Sequence, residues 1–146
     1  MVKLLIKRFS KKVSLPKYET TGSSGMDIAA FVDKNIIIQP GQTAMVPTGI
    51  AVSISKGYEI QIRPRSGLAA KKSISVLNTP GTIDEDYRGE IKVILINLSK
   101  NNFIVENGAR IAQMVLCPVV RANLEEVEEL QETLRGDGGF GSTGTK

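Results

Sequence analysis

Short runs of β-type residues, separated by turn residues, dominate the pattern of hydrophobic and polar positions along the chain. Residues 58–63 alternate strictly, so that Tyr58, Ile60 and Ile62 share one face and the polar residues between them share the other. The further β-type segments are residues 2–9, 26–31, 35–38 and 43–46. Turn signals recur at intervals of roughly 8–15 residues, and helical periodicity is nearly absent. The pattern predicts an all-β sandwich or jelly roll.

Three segments depart from this simple pattern. Residues 91–98 and 111–120 are longer apolar runs, which indicate strands buried on both faces or facing a subunit interface. A brief helix is predicted at residues 66–72, where Ser66 stands as a cap before an apolar stretch. Residues 124–134 carry leucine and valine at helical spacing between glutamates, which would suit a short amphipathic helix. This last segment conflicts with an all-β reading.

The composition limits the chemistry that the chain can perform. Its 146 residues are typical of one domain, and no apolar run is long enough for a membrane span or a secretory leader. The single cysteine, Cys117, excludes an intramolecular disulfide and a cysteine-built zinc site, and the absence of histidine removes the usual general base. We therefore expect a cytoplasmic protein whose acid–base chemistry depends on carboxylates.

The net charge of +4 is unevenly distributed, because six lysines and arginines precede the first acidic residue, Glu19. A basic stripe of this kind can contact nucleic acid. However, Phe9 is the only aromatic residue interleaved with the early part of the stripe, so we expect a solvated face and no polymeric nucleic-acid partner.

The last residues of the chain have an unusual composition. Residues 135–144 contain five glycines, Arg135, Phe140, Ser142 and Thr143. Glycine amides can converge on an anion, arginine and hydroxyl groups can donate to phosphate, and an aromatic ring can stack on a base. Composition alone favours a disordered tail, but such a segment can also close over the phosphates of a nucleotide.

Four other stretches combine charged or polar residues with glycine or proline. Residues 23–27 place Asp27 at the start of a strand, and residues 63–68 place two arginines ahead of a helix, where free amides bind anions. Residues 78–89 form a hairpin-like loop with three carboxylates and Tyr87, and residues 108–113 put Arg110 and Gln113 at the mouth of a buried strand. Each stretch alone has a structural explanation, such as an Asx-turn, a surface arginine, a charged hairpin tip or a strand-end cap.

Taken in order and with their spacing, the five stretches resemble the five motifs of the homotrimeric dUTP pyrophosphatases, the dUTPases. The resemblance covers residues 15–144, and the second, third and fifth motifs match almost residue for residue. Met26, where the family often has an aromatic residue, and Ala109, where an acidic residue is common, are mild departures. The resemblance implies a jelly-roll-like β-sandwich or barrel with one short helix, assembled as a homotrimer with three active sites at subunit interfaces. It also implies a β domain at residues 1–134, a flexible arm at 135–146, and strand and turn rather than helix at 124–130.

The resemblance further implies hydrolysis of dUTP to dUMP and pyrophosphate with Mg²⁺ as cofactor, which keeps uracil out of DNA and supplies dUMP for thymidylate synthesis. Asp84 would be the general base, whereas Glu85 and Asp86 would be solvated charges. Asp27 would act near the metal ion through water, without a direct bond. The residues assigned to substrate binding are Arg65, Ser66, Gly67, Asn78, Gly81, Thr82, Ile83, Tyr87, Lys92, Arg110, Gln113, Arg135, Gly139, Phe140, Gly141, Ser142 and Thr143.

The resemblance also implies that each active site takes these residues from three chains. Residues 65–67 would hold phosphates from one chain, Gln113 from another, and the arm from the third. Asn78 would read the uracil edge, Tyr87 would pack beneath the deoxyribose, and Phe140 would stack over the base.

Three alternatives remain open at this point. A dCTP deaminase shares the fold, but its chemistry needs a glutamate that has no obvious counterpart here. A nucleotide-binding sensor of the same fold, or a structural β protein with a disordered tail, would lack turnover. A comparison of substrates separates the first alternative, and Asp84→Asn separates the second.

Overall fold

The computed structural model describes residues 2–139, which form eleven strands and one helix. The elements in chain order are β1 (Leu4–Arg8), β2 (Met26–Ala29), β3 (Ile36–Ile38), β4 (Thr43–Pro47), β5 (Ile50–Ile54), β6 (Tyr58–Arg63), α1 (Ser66–Lys72), β7 (Ile74–Val76), β8 (Gly81–Ile83), β9 (Lys92–Asn97), β10 (Phe103–Val105) and β11 (Arg110–Pro118). The prediction of an all-β fold with one short helix is confirmed.

All the strand pairs within this part of the chain are antiparallel. The largest sheet has the order β2-β11-β6-β8, a second has the order β4-β9-β7, and β1-β5 and β10-β3 form two-stranded sheets. In this part of the chain, no two neighbouring strands of a sheet are consecutive in sequence, so contacts between distant segments hold the fold together. The arrangement brings the ends of β2, β6 and β11 side by side.

A continuous core lies between the sheets and consists mainly of isoleucine and valine. The alternation predicted for β6 is realised, because Ile60 and Ile62 are buried while Glu59 and Gln61 are only partly covered. Burying each of these aliphatic side chains contributes about 1.5–3 kcal/mol. β9 buries alternate residues rather than both faces, and its last residue, Asn97, is buried with its amide hydrogen-bonded to the carbonyls of Ile38 and Asn101.

The structure corrects the predicted cap of the helix. α1 begins at Ser66 as predicted, but the cap position is Arg65, whose side chain makes no capping hydrogen bond. The Arg65 guanidinium is instead directed at Asp27, which removes it from the helix end. The helix ends at Lys72 and is capped by Ser73, which adopts a left-handed conformation, and Lys71 and Lys72 in the last turn interact favourably with the helix dipole.

The segment after β11 is neither the helix that its periodicity suggested nor the strand that the family resemblance implied. Residues 119–139 contain no helix or strand, and Val120, Leu124 and Leu130 are almost fully exposed. Periodicity alone does not form a helix there, because no core is available for its apolar face. In the described part of the chain, regular secondary structure ends at Pro118. The predicted boundary between the β domain and the arm, after residue 134, stays a prediction. No helix within residues 2–139 has the length and apolar character needed to cross a membrane.

Candidate active site

Asp27 lies at the centre of an ion-pair cluster formed by three segments of the chain. Its Oδ1 accepts a hydrogen bond from Arg65 Nε at 3.2 Å, and its Oδ2 accepts one from Arg110 Nη1 at 3.0 Å. Arg65 also donates to the carbonyl of Arg110 at 3.3 Å, so the two arginines are held against each other despite their like charge. Glu19 also contacts Arg110 Nη1 at 3.5 Å and Lys17 Nζ at 3.6 Å. The three cationic side chains outnumber the two carboxylates by one, and this partly exposed positive charge suits an anionic ligand.

The sheet register explains why this cluster forms. Gln113 in β11 lies opposite Asp27 in β2 on one side and opposite Arg63 in β6 on the other. Its Nε2 donates to the carbonyl of Pro64 at 3.0 Å, directly before Arg65. The expectation that Gln113 and residues 65–67 come from different chains is therefore wrong, because the register and this hydrogen bond place them together within one chain.

Gly25 makes room for the Gln113 side chain. A Cβ at residue 25 would lie 2.5 Å from Gln113 Oε1 and 3.3 Å from Val115 Cγ2. Any larger residue would displace the amide of Gln113. The effect of Gly25 on Gln113 becomes visible only when β2 and β11 are paired.

The first turn of α1 presents backbone donors beside Arg65. The amides of Leu68 and Ala69 donate to the carbonyl of Arg65, at 3.1 and 3.0 Å. The amides of Ser66 and Gly67 have no such partner within residues 2–139, and both residues are exposed. These two amides and the Ser66 hydroxyl can therefore donate to a ligand at the exposed start of α1, next to the ion pair of Arg65 with Asp27.

Asp84 lies at a different place, at the edge of an open cleft after β8. The cleft has a volume of about 450 Å³ and is lined by Met45, Thr82, Ile83, Asp84, Tyr87, Glu90, Ile91 and Lys92. It thus brings together five of the residues predicted to bind or react with substrate. Asp84 is exposed, and its carboxylate has no hydrogen-bond or ion-pair partner among the residues that the structure describes.

Tyr87 has a fixed orientation at the wall of this cleft. Its hydroxyl donates to the carbonyl of Glu90 at 3.0 Å, and its ring lies against Gly89, where a Cβ would clash with the phenol. Glu90 in turn accepts a hydrogen bond from the amide of Gly49 at 2.9 Å. The tyrosine can therefore form a rigid surface for a ring to pack on.

Asn78 lies next to the first residue of β8. A Cβ at Gly81 would contact the Asn78 amide at 3.4 Å and Ile62 Cβ at 3.3 Å. Because β8 pairs with β6 from Gly81 to Ile83, this short strand fixes the backbone between Asn78 and Asp84. The amide group and the carboxylate are thereby kept at opposite ends of one strand.

The cluster around Asp27 and the carboxylate of Asp84 are far apart within a single chain. They are separated by three strand spacings across the sheet β2-β11-β6-β8 and by the length between Arg63 and Glu59 in β6. At about 4.8 Å per spacing and 3.3 Å per residue, Asp27 and Asp84 lie roughly 20 Å apart. One phosphate group cannot contact both within one chain.

Only part of the predicted arm belongs to the described structure. Arg135 Nε donates to the carbonyl of Gly138 at 2.8 Å, so this side chain closes a local turn, and Gly139 is the last residue described. Predictions about Phe140, Gly141, Ser142 and Thr143 concern residues outside the described part of the chain. Arg135 and Gly139 are not brought to the other site residues by any hydrogen bond within residues 2–139.

The side chains offer no protein cage for a metal ion. Residues 2–139 contain no group of three or more histidine, cysteine, aspartate or glutamate residues that could hold one. Both Asp27 oxygens accept from arginines, but a carboxylate has about four lone-pair sites, so two remain for water. This arrangement fits an ion such as Mg²⁺, which keeps several waters and is usually held by substrate phosphates.

The comparison with known families identifies the chain. The family model described as dUTPase matches residues 11–144. The chain belongs to the dUTPase family. Its fold is therefore the jelly-roll-like fold that the sequence resemblance implied, and the clusters at Asp27 and Asp84 both lie within the matched residues.

Curated relatives of this dUTPase family member match almost its whole length. The deoxyuridine 5'-triphosphate nucleotidohydrolase of Hydrogenobaculum sp. (strain Y04AAS1) is 57% identical over 145 residues, which cover 99% of this chain and 100% of the relative. The enzyme of the same name from Brucella melitensis is 57% identical over 138 residues, which cover 93% of this chain and 88% of the relative.

Solved structures of phage dUTPases share the fold. The dUTPase of Staphylococcus bacteriophage 80alpha with dUPNHPP superposes with a TM-score of 0.87 at 27% identity, covering 98% of this chain and 99% of that one. A dUTPase of phage phi11 of S. aureus, described with a structural Mg(II) ion, has a TM-score of 0.79 at 22% identity and covers 89% of this chain and 99% of that one.

Proposed function

We propose that this protein hydrolyses dUTP to dUMP and pyrophosphate, with water attacking the α-phosphorus. The observation that carries the proposal is the cleft that holds Asp84 together with Thr82, Ile83, Tyr87 and Lys92. An exposed carboxylate there meets the requirement for a base that must approach a water molecule, and the chain has no histidine to take this role. The reaction would remove dUTP from the nucleotide pool and supply dUMP, and a cytoplasmic location belongs to the same proposal.

The segment from Asn78 to Tyr87 would select the base and the sugar of the nucleotide. The Asn78 amide and the backbone groups of the following loop would together read the edge of uracil, and the donor–acceptor order that those backbone groups impose mismatches cytosine. The rigid Tyr87 ring would pack against the deoxyribose and leave no room for a 2′-hydroxyl. Gly81, Thr82 and Ile83 would contribute backbone groups to the same pocket.

Phosphate binding belongs to the cluster around Asp27. Arg65 and Arg110 supply positive charge, the amides and hydroxyl at Ser66 and Gly67 supply hydrogen-bond donors, and the Gln113 amide supplies another polar group beside them. Asp27 would hold both guanidinium groups in position and accept hydrogen bonds from metal-bound water. When bound, Mg²⁺ would neutralise charge on the phosphates. The arm residues Arg135, Gly139, Phe140, Gly141, Ser142 and Thr143 would complete the site by closing over the nucleotide.

We further propose that the site is shared between subunits of a homotrimer. The separation of roughly 20 Å between Asp27 and Asp84 in one chain supports this proposal, because the base must lie within about 3 Å of the attacking water while the phosphate ligands contact the phosphate beside that water. A second copy of the chain can bring its Asp27 cluster to the Asp84 cleft of the first. The arm would come from the third copy.

The experiment that tests the proposed reaction is pyrophosphate release in the presence of Mg²⁺, with dUTP, dCTP, dTTP and UTP compared at equal concentration. Release from dUTP alone is expected. Ammonia release from dCTP would indicate the deaminase alternative, and the absence of any turnover in a folded protein would indicate the sensor alternative.

A further inference from the structure

Glu85 follows Asp84 directly and differs from the other carboxylates of this loop in having a fixed partner. Its Oε2 accepts a hydrogen bond from the amide of Gly57 at 2.7 Å, across 28 positions of sequence. We propose that Glu85 is a positioning residue that holds the loop so that the Asp84 carboxylate faces the substrate cleft. This inference rests on the proposed function of Asp84 as general base.

The partner of Glu85 is itself fixed. Gly57 occupies the turn between β5 and β6 with a φ of +83°, a conformation that side-chain-bearing residues rarely adopt. Its carbonyl accepts a hydrogen bond from the amide of Val119 at 2.9 Å, just beyond the end of β11. The Gly57 turn is thus tied to the largest sheet, and a carboxylate bound to it is anchored to the rigid part of the molecule.

Hydrogen bonds within the loop that follows β8 hold its backbone together. Arg88 Nη1 donates to the carbonyls of Glu85 at 2.6 Å and Tyr87 at 3.0 Å, and the amide of Tyr87 donates to the carbonyl of Asp84 at 3.2 Å. The short loop is therefore held together internally, and the hydrogen bond from Gly57 to Glu85 ties it to the turn before β6, beyond the point where the pairing of β8 with β6 ends.

The position of this loop matters because Asp84 borders two clefts. Besides the substrate cleft, it contributes to a second cavity of about 470 Å³, whose lining includes Lys56 and Arg121 as well as the acidic Glu59 and Asp86. The Asp84 carboxylate has no partner of its own within residues 2–139, so the position of the loop backbone decides which cleft the side chain can reach. Without Glu85, the loop would be free to shift and to carry the carboxylate away from the substrate cleft.

Asp86 provides the matched control. It borders the same second cavity and carries the same charge, but it is exposed and its side chain makes no hydrogen bond or ion pair within the described residues. If only the negative charge of the loop mattered, Asp86→Ala and Glu85→Ala would have equal effects.

The first test compares Glu85→Ala, Glu85→Gln and Asp86→Ala in steady-state hydrolysis of dUTP. We expect Glu85→Ala to lower kcat about tenfold with little change in KM, because a small misplacement of a reacting group is costly while the binding residues stay in place. Glu85→Gln should retain most of kcat, since the amide oxygen still accepts from Gly57, and Asp86→Ala should match the wild type. Equal kcat in Glu85→Ala and the wild type, or equal losses in all three variants, would overturn the proposal.

The second test places Glu85→Ala in the Asp84→Asn background. A residue that acts through Asp84 should lower the residual rate no further, whereas an independent contribution would lower it by the same factor as in the wild type and so contradict the proposal. Normal turnover by Asp84→Asn alone would instead contradict the proposed function. The two failures are therefore distinguishable.

Discussion

Gln113 occupies space that only a glycine at position 25 leaves free, because a Cβ on Gly25 would lie 2.5 Å from Gln113 Oε1. The same side chain donates to the carbonyl of Pro64, beside the cluster proposed to bind phosphate. The turn before β2 thereby controls a polar group on β11, and the shape of the phosphate site depends on a residue that contacts no substrate.

Gly25→Ala should therefore impair catalysis more than stability. The obstructed atom is the end of a flexible side chain, so the protein can fold by moving Gln113, but the bond to Pro64 is then lost. Because the displaced Gln113 no longer lies beside Arg65, kcat/KM for dUTP should fall roughly five- to tenfold, which corresponds to about 1 kcal/mol of transition-state binding. Gly22→Ala is the control, because a Cβ at Gly22 has no neighbour within 4 Å. Equal kinetics for the two variants would show that Gln113 has no role in turnover.

Asp84→Asn should retain binding of a non-hydrolysable dUTP analogue and lose roughly 10²–10⁴-fold in kcat, the range for a positioned general base. The amide has the same shape as the carboxylate and cannot take a proton from water. Calorimetric binding of the analogue and pyrophosphate release would be measured on the same preparation. Turnover within a few-fold of the wild type would remove Asp84 from the mechanism.

Asp27→Asn should weaken phosphate binding through the two arginines. The substitution places an NH₂ group against either Arg65 or Arg110, so one of the hydrogen bonds at 3.2 and 3.0 Å is replaced by a contact between donors. Hydrogen bonds to charged groups contribute about 1.5–3 kcal/mol, which corresponds to a fall in kcat/KM of roughly 10- to 100-fold. Glu19→Gln is the control, because its contact with Arg110 at 3.5 Å is more exposed and should contribute little. A larger loss in Glu19→Gln than in Asp27→Asn would contradict this account.

The sequence predicted most of the sheet structure but missed four strands. β6 was predicted with its exact bounds because its residues alternate without interruption, and burial on one face enforces that register. β8 was missed since it has three residues, begins with glycine and follows proline, all of which indicate a turn. Its identity as a strand depends on pairing with β6, which no local pattern reveals.

In the candidate site, too, the features that depend on local sequence were predicted and those that depend on contacts between distant residues were not. The motifs predicted which residue types bind phosphate and base, but not that Gln113 and Arg65 lie together in one chain. Glu85 was predicted to be a solvated charge, because its partner Gly57 is distant in sequence and contributes only a backbone amide. A contact between a side chain and a backbone group that is distant in sequence leaves no recognisable pattern in the sequence.

Deletion of residues 135–146 should reduce kcat/KM far more than the melting temperature. Residues 119–139 contain no regular structure, and exposed Leu130 and Leu134 bury nothing in the core of the same chain. Differential scanning calorimetry would be combined with pyrophosphate release on the truncated protein. A fall in melting temperature of more than about 2–4 °C, which corresponds to about 1 kcal/mol in a domain of nearly 150 residues, would mean that these residues stabilise the fold.

Mixing two inactive variants should restore activity if the active site is shared. A homotrimer made only of Asp84→Asn chains has a damaged residue in every active site, and so does one made only of Arg65→Ala chains. In mixed trimers, some active sites receive an intact Asp84 from one chain and an intact Arg65 from another. If the two variants mix randomly in equal amounts, about one quarter of all active sites are intact. The two proteins would be unfolded and refolded together, with each refolded alone as the control. Activity that stays at the level of the separate variants, in mixed trimers verified by native mass spectrometry, would show that both residues act within one chain.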